Sequence, residues 1–227
     1  LNESLLTKTL RRVQALGSPW IVTSKSLETQ TIMALRECKI SHDQALYEPC
    51  PRNTAGAIAF LCQYFQLRGW QNEVVGVFPS DHVIQNENEF LLACELAETA
   101  ARAGLVATLG LRPDYPATGF GYIETSQQKL MARGQLAAHL VRGFREKPDQ
   151  ASAQNYILQG NFFWNAGIFF FQVSKMIEHF QRKMPELWSH LSLLKLDLSN
   201  LSEIFSKIES RSVDFGIMEK LKEQVCI

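Results

Sequence analysis

The chain has 227 residues, 46% of them hydrophobic and 20% charged, with 23 basic and 23 acidic side chains and a formal net charge of zero. This length suits one large domain with a full core. Charge balance excludes a bulk field that would draw in nucleic acid or an anionic membrane, so an anionic ligand has to be held by local groups.

Taken in chain order, short apolar runs alternate with longer helical periods. "SLLTKTLRRVQAL" (4–16) places Leu5, Leu6, Leu10, Val13 and Leu16 on one helical face. "PWIVTS" (19–24) reads as a buried strand, "SLETQTIMALREC" (26–38) as a helix and "QALYEP" (44–49) as a short strand. "NTAGAIAFLCQYFQLRG" (53–69) is a helix with Asn53 or Thr54 as N-cap. "EVVGVFPSD" (73–81) is the next strand, followed by a helix over 86–104 ending at Gly104 and the strand "LVATLGL" (105–111). Continuous rather than alternating apolar strands predict a parallel sheet with helices on both faces. Beyond residue 115 the rhythm changes. "GFGYIE", "AHLVRGFREKP" and "NAGIFFFQV" read as longer, partly antiparallel strands, and helices follow over 173–191 and 201–210.

The five cysteines (Cys38, Cys50, Cys62, Cys94, Cys226) show no CxxC and no metal-ligand spacing. Reduced thiols and a cytoplasmic location are expected. No run approaches the roughly 20 apolar residues of a membrane span, and no secretory signal is read at the N-terminus.

Several junctions carry chemistry. Asp81 follows the run "VVGVFPS", where ligands of open α/β sheets gather, at the carboxyl ends of strands. Its carboxylate suits Mg²⁺ bound together with substrate phosphates; capping the next turn is the structural alternative. In "EPCPRNTAGAI" (48–58), Arg52, Asn53 and Thr54 sit at a strand-to-helix junction, where free N–H groups and the helix dipole favour phosphate or a polar base edge. "TGFGY" (118–122) lets a ligand approach the backbone closely. Glu146 and Lys147 are adjacent before Pro148; in extended chain they face opposite ways and serve one ligand only if the backbone wraps around it. Asn165, between aromatics in "NFFWNAGIFFF", needs partners, either local backbone or a ligand hydroxyl.

"EPCPRNTAGAI", "FPSDHVI", "TGFGYIE", "FREKPD", "GNFFWNAGIFFF" and "SVDFGIMEK" occur in this order. Together they resemble the bacterial sugar-1-phosphate nucleotidyltransferases over almost the whole chain, and the EP-x-x-RNTA and WN-x-G forms favour the mannose/GTP branch. The resemblance implies a mixed, mostly parallel Rossmann-like α/β fold. It also implies one nucleotidyltransferase domain, with a nucleotide-binding half over 1–115 and a sugar-phosphate-binding half over 116–227. The implied reaction joins GTP and mannose 1-phosphate into GDP-mannose and releases pyrophosphate, with Mg²⁺ as cofactor. No nucleic-acid or membrane partner is implied, and a homodimer is compatible with it.

By the same resemblance, Asp81 binds Mg²⁺ and is catalytic with Lys147, which contacts the sugar phosphate. Pro49 shapes the base pocket, and Arg52, Asn53 and Thr54 lie near the nucleotide. Gly121, Glu146 and Asn165 bind the sugar. Asp214 and Glu219 match a family motif without an assigned role. The family's G-G-x-G-T-R loop and following lysine, and its later tryptophan–aspartate segment, have no counterpart in these 227 residues. We therefore expect weak or no turnover from this stretch alone. Gly56 stands where the family pattern has proline, and Ser80 where alanine is commoner. The alternatives are the same chemistry with another sugar or base, or a noncatalytic nucleotide-sugar-binding subunit.

Overall fold

The computed structural model describes residues 3–221 and 224–227. In chain order the main elements are α1 (Leu5–Val13), β1 (Ile21–Ser24), α2 (Glu28–Glu37), β2 (Ala45–Glu48), α3 (Asn53–Leu67), β3 (Val74–Val77), α4 (Glu87–Arg102) and β4 (Val106–Leu111). They continue as β5 (Tyr122–Arg133), β6 (Leu136–Arg145), α5 (Gln150–Gln159), β7 (Phe162–Gln172), α6 (Val173–Lys183), α7 (Pro185–Leu191), α8 (Leu201–Lys207), α9 (Val213–Gly216) and β8 (Gln224–Cys226). Two compact units result. The first runs through Glu73 and adds Ser80–Glu87 and Val173–Lys220; the second holds Val74–Pro79, Asn88–Gln172 and the stretch from Leu221.

In the first unit, Ser4 starts α1 by accepting the Thr7 N–H on its hydroxyl at 3.0 Å, a cap that satisfies one orphan donor of the first turn. Strands β1 and β2 pair in parallel, from Ile21 opposite Ala45 to Ser24 opposite Glu48. Leu10, Ile21, Ala34, Leu35, Cys38 and Ile40 form a buried cluster; each large aliphatic side chain buried there contributes ~1.5–3 kcal/mol. The helix expected over 173–191 is broken in two at Met184, with Pro185 opening α7. Proline disfavours helical geometry in the residue before it and cannot donate into the preceding turn.

The second unit is a six-stranded sheet in the order β3-β7-β4-β8-β6-β5, in which β7 also pairs with β5. The mixed α/β class holds, but parallel pairing is less common than expected. Among the described residues only β1–β2 and β4–β8 are parallel, and five other pairings are antiparallel. The cause is β7, which lies antiparallel between β3 and β4. Continuous apolar character reports burial on both faces of a strand, not the direction of its neighbours. Helix α5, which the apolar pattern does not announce, buries only Ala153. It is set by its ends. Asp149 accepts the Ser152 N–H at 2.7 Å, and Gly160 closes it at φ 72°.

All five cysteines are free thiols. No helix among the described residues is long and apolar enough to cross a membrane.

Candidate functional site

In the first unit the junction that the sequence marks lies where β2 runs into α3. Alternation along β2 buries Leu46 and Glu48 on the same side. Glu48 is only 8% exposed, and its Oε1 is buried with no hydrogen-bond partner. Loss of water disfavours the charged form and pushes its pKa up to about 7. Pro49 follows at the surface.

The start of α3 differs from the sequence expectation of free N–H groups. Asn53 takes a left-handed φ of 61° and turns its own Oδ1 onto the Thr54 N–H at 2.8 Å. The Ala55 N–H donates to the Arg211 carbonyl at 3.2 Å. Arg52 donates from Nε to the Phe205 carbonyl at 2.6 Å and from Nη2 to the Ser206 carbonyl at 3.2 Å. The Thr54 hydroxyl accepts the Val213 N–H at 2.9 Å. Two of the helix's first donors, and all three side chains expected near the nucleotide at this junction, are thus engaged by the chain itself.

Asp81 is exposed, in the turn that comes shortly after β3 in sequence. Among the described residues no three His, Cys, Asp or Glu side chains gather into a metal cage. A lone exposed carboxylate nevertheless fits Mg²⁺, which is bound through one or two carboxylates with substrate phosphates and water completing the octahedron.

In the second unit three of the expected residues converge. A Cβ built on Gly121 would lie 2.7 Å from Glu146 Oε2 and 3.8 Å from Asn165 Cβ, so only glycine leaves this space open. The Asn165 N–H donates to the Gly121 carbonyl at 2.8 Å, and Asn165 Oδ1 accepts the Gly167 N–H at 2.9 Å. Lys147 lies beside them under backbone strain. Its φ of 43° is left-handed, in a non-glycine residue that also precedes proline and is therefore steered towards extended geometry. Lys147 Nζ lies 3.3 Å from Glu146 Oε1. Strain of this kind costs on the order of 1–3 kcal/mol and persists where surrounding structure imposes it. The result is a carboxylate, an ammonium, an amide and an open backbone strip in one place, suited to a polyhydroxylated anion.

Sequence reasoning missed Glu48. Its only signal was an acidic residue closing a buried strand just before Pro49, which does not separate a buried carboxylate from an exposed one.

A family model described as nucleotidyl transferase matches residues 1–213, and the chain belongs to that family. The matches then become more particular. The chain is 33% identical, over 99% of its length and 49% of the relative's, to mannose-1-phosphate guanylyltransferase 2 of Escherichia coli O157:H7. It is 32% identical, over 96% of its length and 44% of the relative's, to the mannose-1-phosphate guanylyltransferase of Sinorhizobium fredii. The crystal structure of a mannose-1-phosphate geranyltransferase from Thermus thermophilus superposes with a TM-score of 0.84 at 31% identity, covering 99% of this chain and 64% of that one. The chain spans about half the length of the curated relatives it matches. The family and the mixed α/β fold that the ordered motifs imply are thus shown.

Proposed function

We propose that the chain carries the guanylyltransferase chemistry of its relatives, joining GTP to mannose 1-phosphate to give GDP-mannose and pyrophosphate. The observation that carries this reading is the convergence of Gly121, Glu146 and Asn165, with the Lys147 ammonium 3.3 Å from Glu146. Glu146 and Asn165 offer acceptors and a donor to sugar hydroxyls, and Lys147 offers a point charge to the sugar phosphate. The open strip at Gly121 lets the sugar lie against backbone.

The base preference rests on Glu48. A buried carboxylate without a donor is costly, and the guanine edge carries two adjacent N–H donors that match its two oxygens. An adenine edge offers no such pair. We assign Glu48 to guanine N1 and N2, with Pro49 beside the ring and Asn53 and Asp81 toward the phosphates.

A phosphate oxygen of mannose 1-phosphate forms a bond to the α-phosphorus of GTP as the bond to pyrophosphate breaks. The side chains bind, orient and neutralise; none forms a covalent bond. Asp81 would hold Mg²⁺, which when bound supplies charge neutralisation on phosphate oxygens.

The test is pyrophosphate release from GTP, mannose 1-phosphate and Mg²⁺ by the full-length product of the gene, with glucose 1-phosphate as control. Mannose-selective release is expected, with a loss of ~100- to 1,000-fold in Asp81→Ala if its carboxylate serves the phosphate chemistry. Binding of nucleotide by a folded protein that releases no pyrophosphate with any sugar phosphate would defeat the proposal.

A further inference from the structure

Arg52 and Thr54 look like a phosphate clamp in sequence, yet their polar atoms turn the other way. Phe205 and Ser206 belong to the last turn of α8, whose carbonyls have no partners within the helix. Arg52 meets both with a planar pair of donors, at 2.6 and 3.2 Å, and sets its positive charge at the negative end of that helix. Eight residues further along, Val213 gives its N–H to Thr54 Oγ1 at 2.9 Å, and between them the Arg211 carbonyl takes the Ala55 N–H at 3.2 Å. These four bonds join stretches some 150 residues apart in sequence.

Gly56 fits the same device. A Cβ there would stand 2.7 Å from Arg52 Cβ and 3.6 Å from Ile208 Cδ1, so the missing side chain leaves room for the Arg52 stem and for the segment it holds. Only three residues separate Glu48 from Arg52. Whatever fixes Arg52 fixes the far end of the loop that carries Glu48 and Pro49.

We propose that Arg52 and Thr54 are positioning residues, a latch that fastens residues 205–213 to the start of α3 and holds the 48–52 loop in the shape that receives the nucleoside. The functional half of this rests on the nucleotide reading above; the latch itself does not. Loosening it disturbs recognition of the nucleoside, not of the phosphates alone.

The experiment pairs residue-resolved amide exchange, without ligand, with affinities for guanosine and for GTP. In Thr54→Val the Val213 amide should exchange at least tenfold faster, whereas Thr54→Ser, which keeps the hydroxyl, should protect it as the parent does. Arg52→Lys should speed exchange across 205–213 and weaken guanosine and GTP by the same factor, about five- to tenfold. Unchanged exchange over 205–213 in Arg52→Lys and Thr54→Val would overturn the latch. Loss of GTP affinity with guanosine affinity intact would overturn its positioning role and make Arg52 a phosphate contact. Failure of the parent protein to bind either ligand would sink the nucleotide reading, and the exchange arm would still decide the latch.

Discussion

The two units treat their motif residues in opposite ways. At the start of α3, Arg52, Thr54 and the amides of Thr54 and Ala55 are all satisfied by the chain. Around Gly121, the charged pair Glu146–Lys147 is exposed, and its lysine is left-handed. The first arrangement holds a surface in shape; the second keeps polar groups available at a cost in backbone strain. Charged residues at a strand-to-helix junction and in a glycine loop look equally functional in sequence. What separates them is where the partners are. Substitutions should therefore act mainly on rigidity at the start of α3 and mainly on activity around Gly121.

After the loss expected at Asp81, the largest effect should come from Gly121→Ala. Its methyl group would meet Glu146 Oε2 at 2.7 Å, the far end of a flexible side chain that can swing away, so the fold survives. The displaced carboxylate and the filled strip should lower kcat/KM for mannose 1-phosphate by roughly 100-fold, the scale of a 1 Å misplacement. The thermal midpoint should move by less than ~3 °C. Steady-state kinetics beside a melting curve check this. A large loss of stability with kinetics intact would reverse the roles given to the two units.

Much of this contrast was out of reach of the sequence. Strands β1 to β4 and their helices followed from apolar runs, because burial of a run is a local property. Their partners did not follow, since β7 inserts between β3 and β4 from about 90 residues downstream of β3. The cluster at Gly121, Glu146 and Asn165 was legible as motifs, but the left-handed φ of Lys147 beside it was not, since Lys-Pro would ordinarily discourage it. The direction of Arg52 was hidden, because its acceptors are backbone carbonyls at Phe205 and Ser206 that no side-chain motif marks. Helix α5 could have been found from Asp149 and Gly160, which bracket it as N-cap and left-handed C-cap.

Glu48 sharpens the comparison from the first unit, because its buried Oε1 is left without a donor at the β2–α3 junction. Its pKa is about 7 when folded against the ordinary 4.5. The folded protein then holds more protons than the unfolded chain between about pH 4.5 and 7, so stability falls as pH rises through that window and levels off above it. Glu48→Gln removes the ionisation. At pH 8 the variant should be more stable than the parent by about 3 kcal/mol, and near pH 4 the difference should vanish. Guanine needs the ionised form, so GTP affinity of the parent should rise with pH through about 7, with a proton released on binding. Denaturant melts at pH 4, 6 and 8, with calorimetric binding in two buffers of different ionisation enthalpy, measure both. A parent whose stability relative to the variant ignores pH would remove Glu48 from the site.

The smallest change tests the strain in the second unit. Lys147→Gly relieves a left-handed φ of 43° and also frees the unfolded chain, and the two terms oppose each other at ~0.5–1 kcal/mol or more. Stability should hold or rise by up to ~1 kcal/mol. The ammonium is lost from the sugar-phosphate side, and KM for mannose 1-phosphate should rise about tenfold, equivalent to ~1.4 kcal/mol. A residue kept for packing would show the reverse, a loss of stability with KM unmoved. If stability rises while binding falls, the strain at Lys147 is maintained for the ligand. At Arg52 stability and nucleotide binding should instead fall together, because there the side chain serves the fold first and the ligand through it.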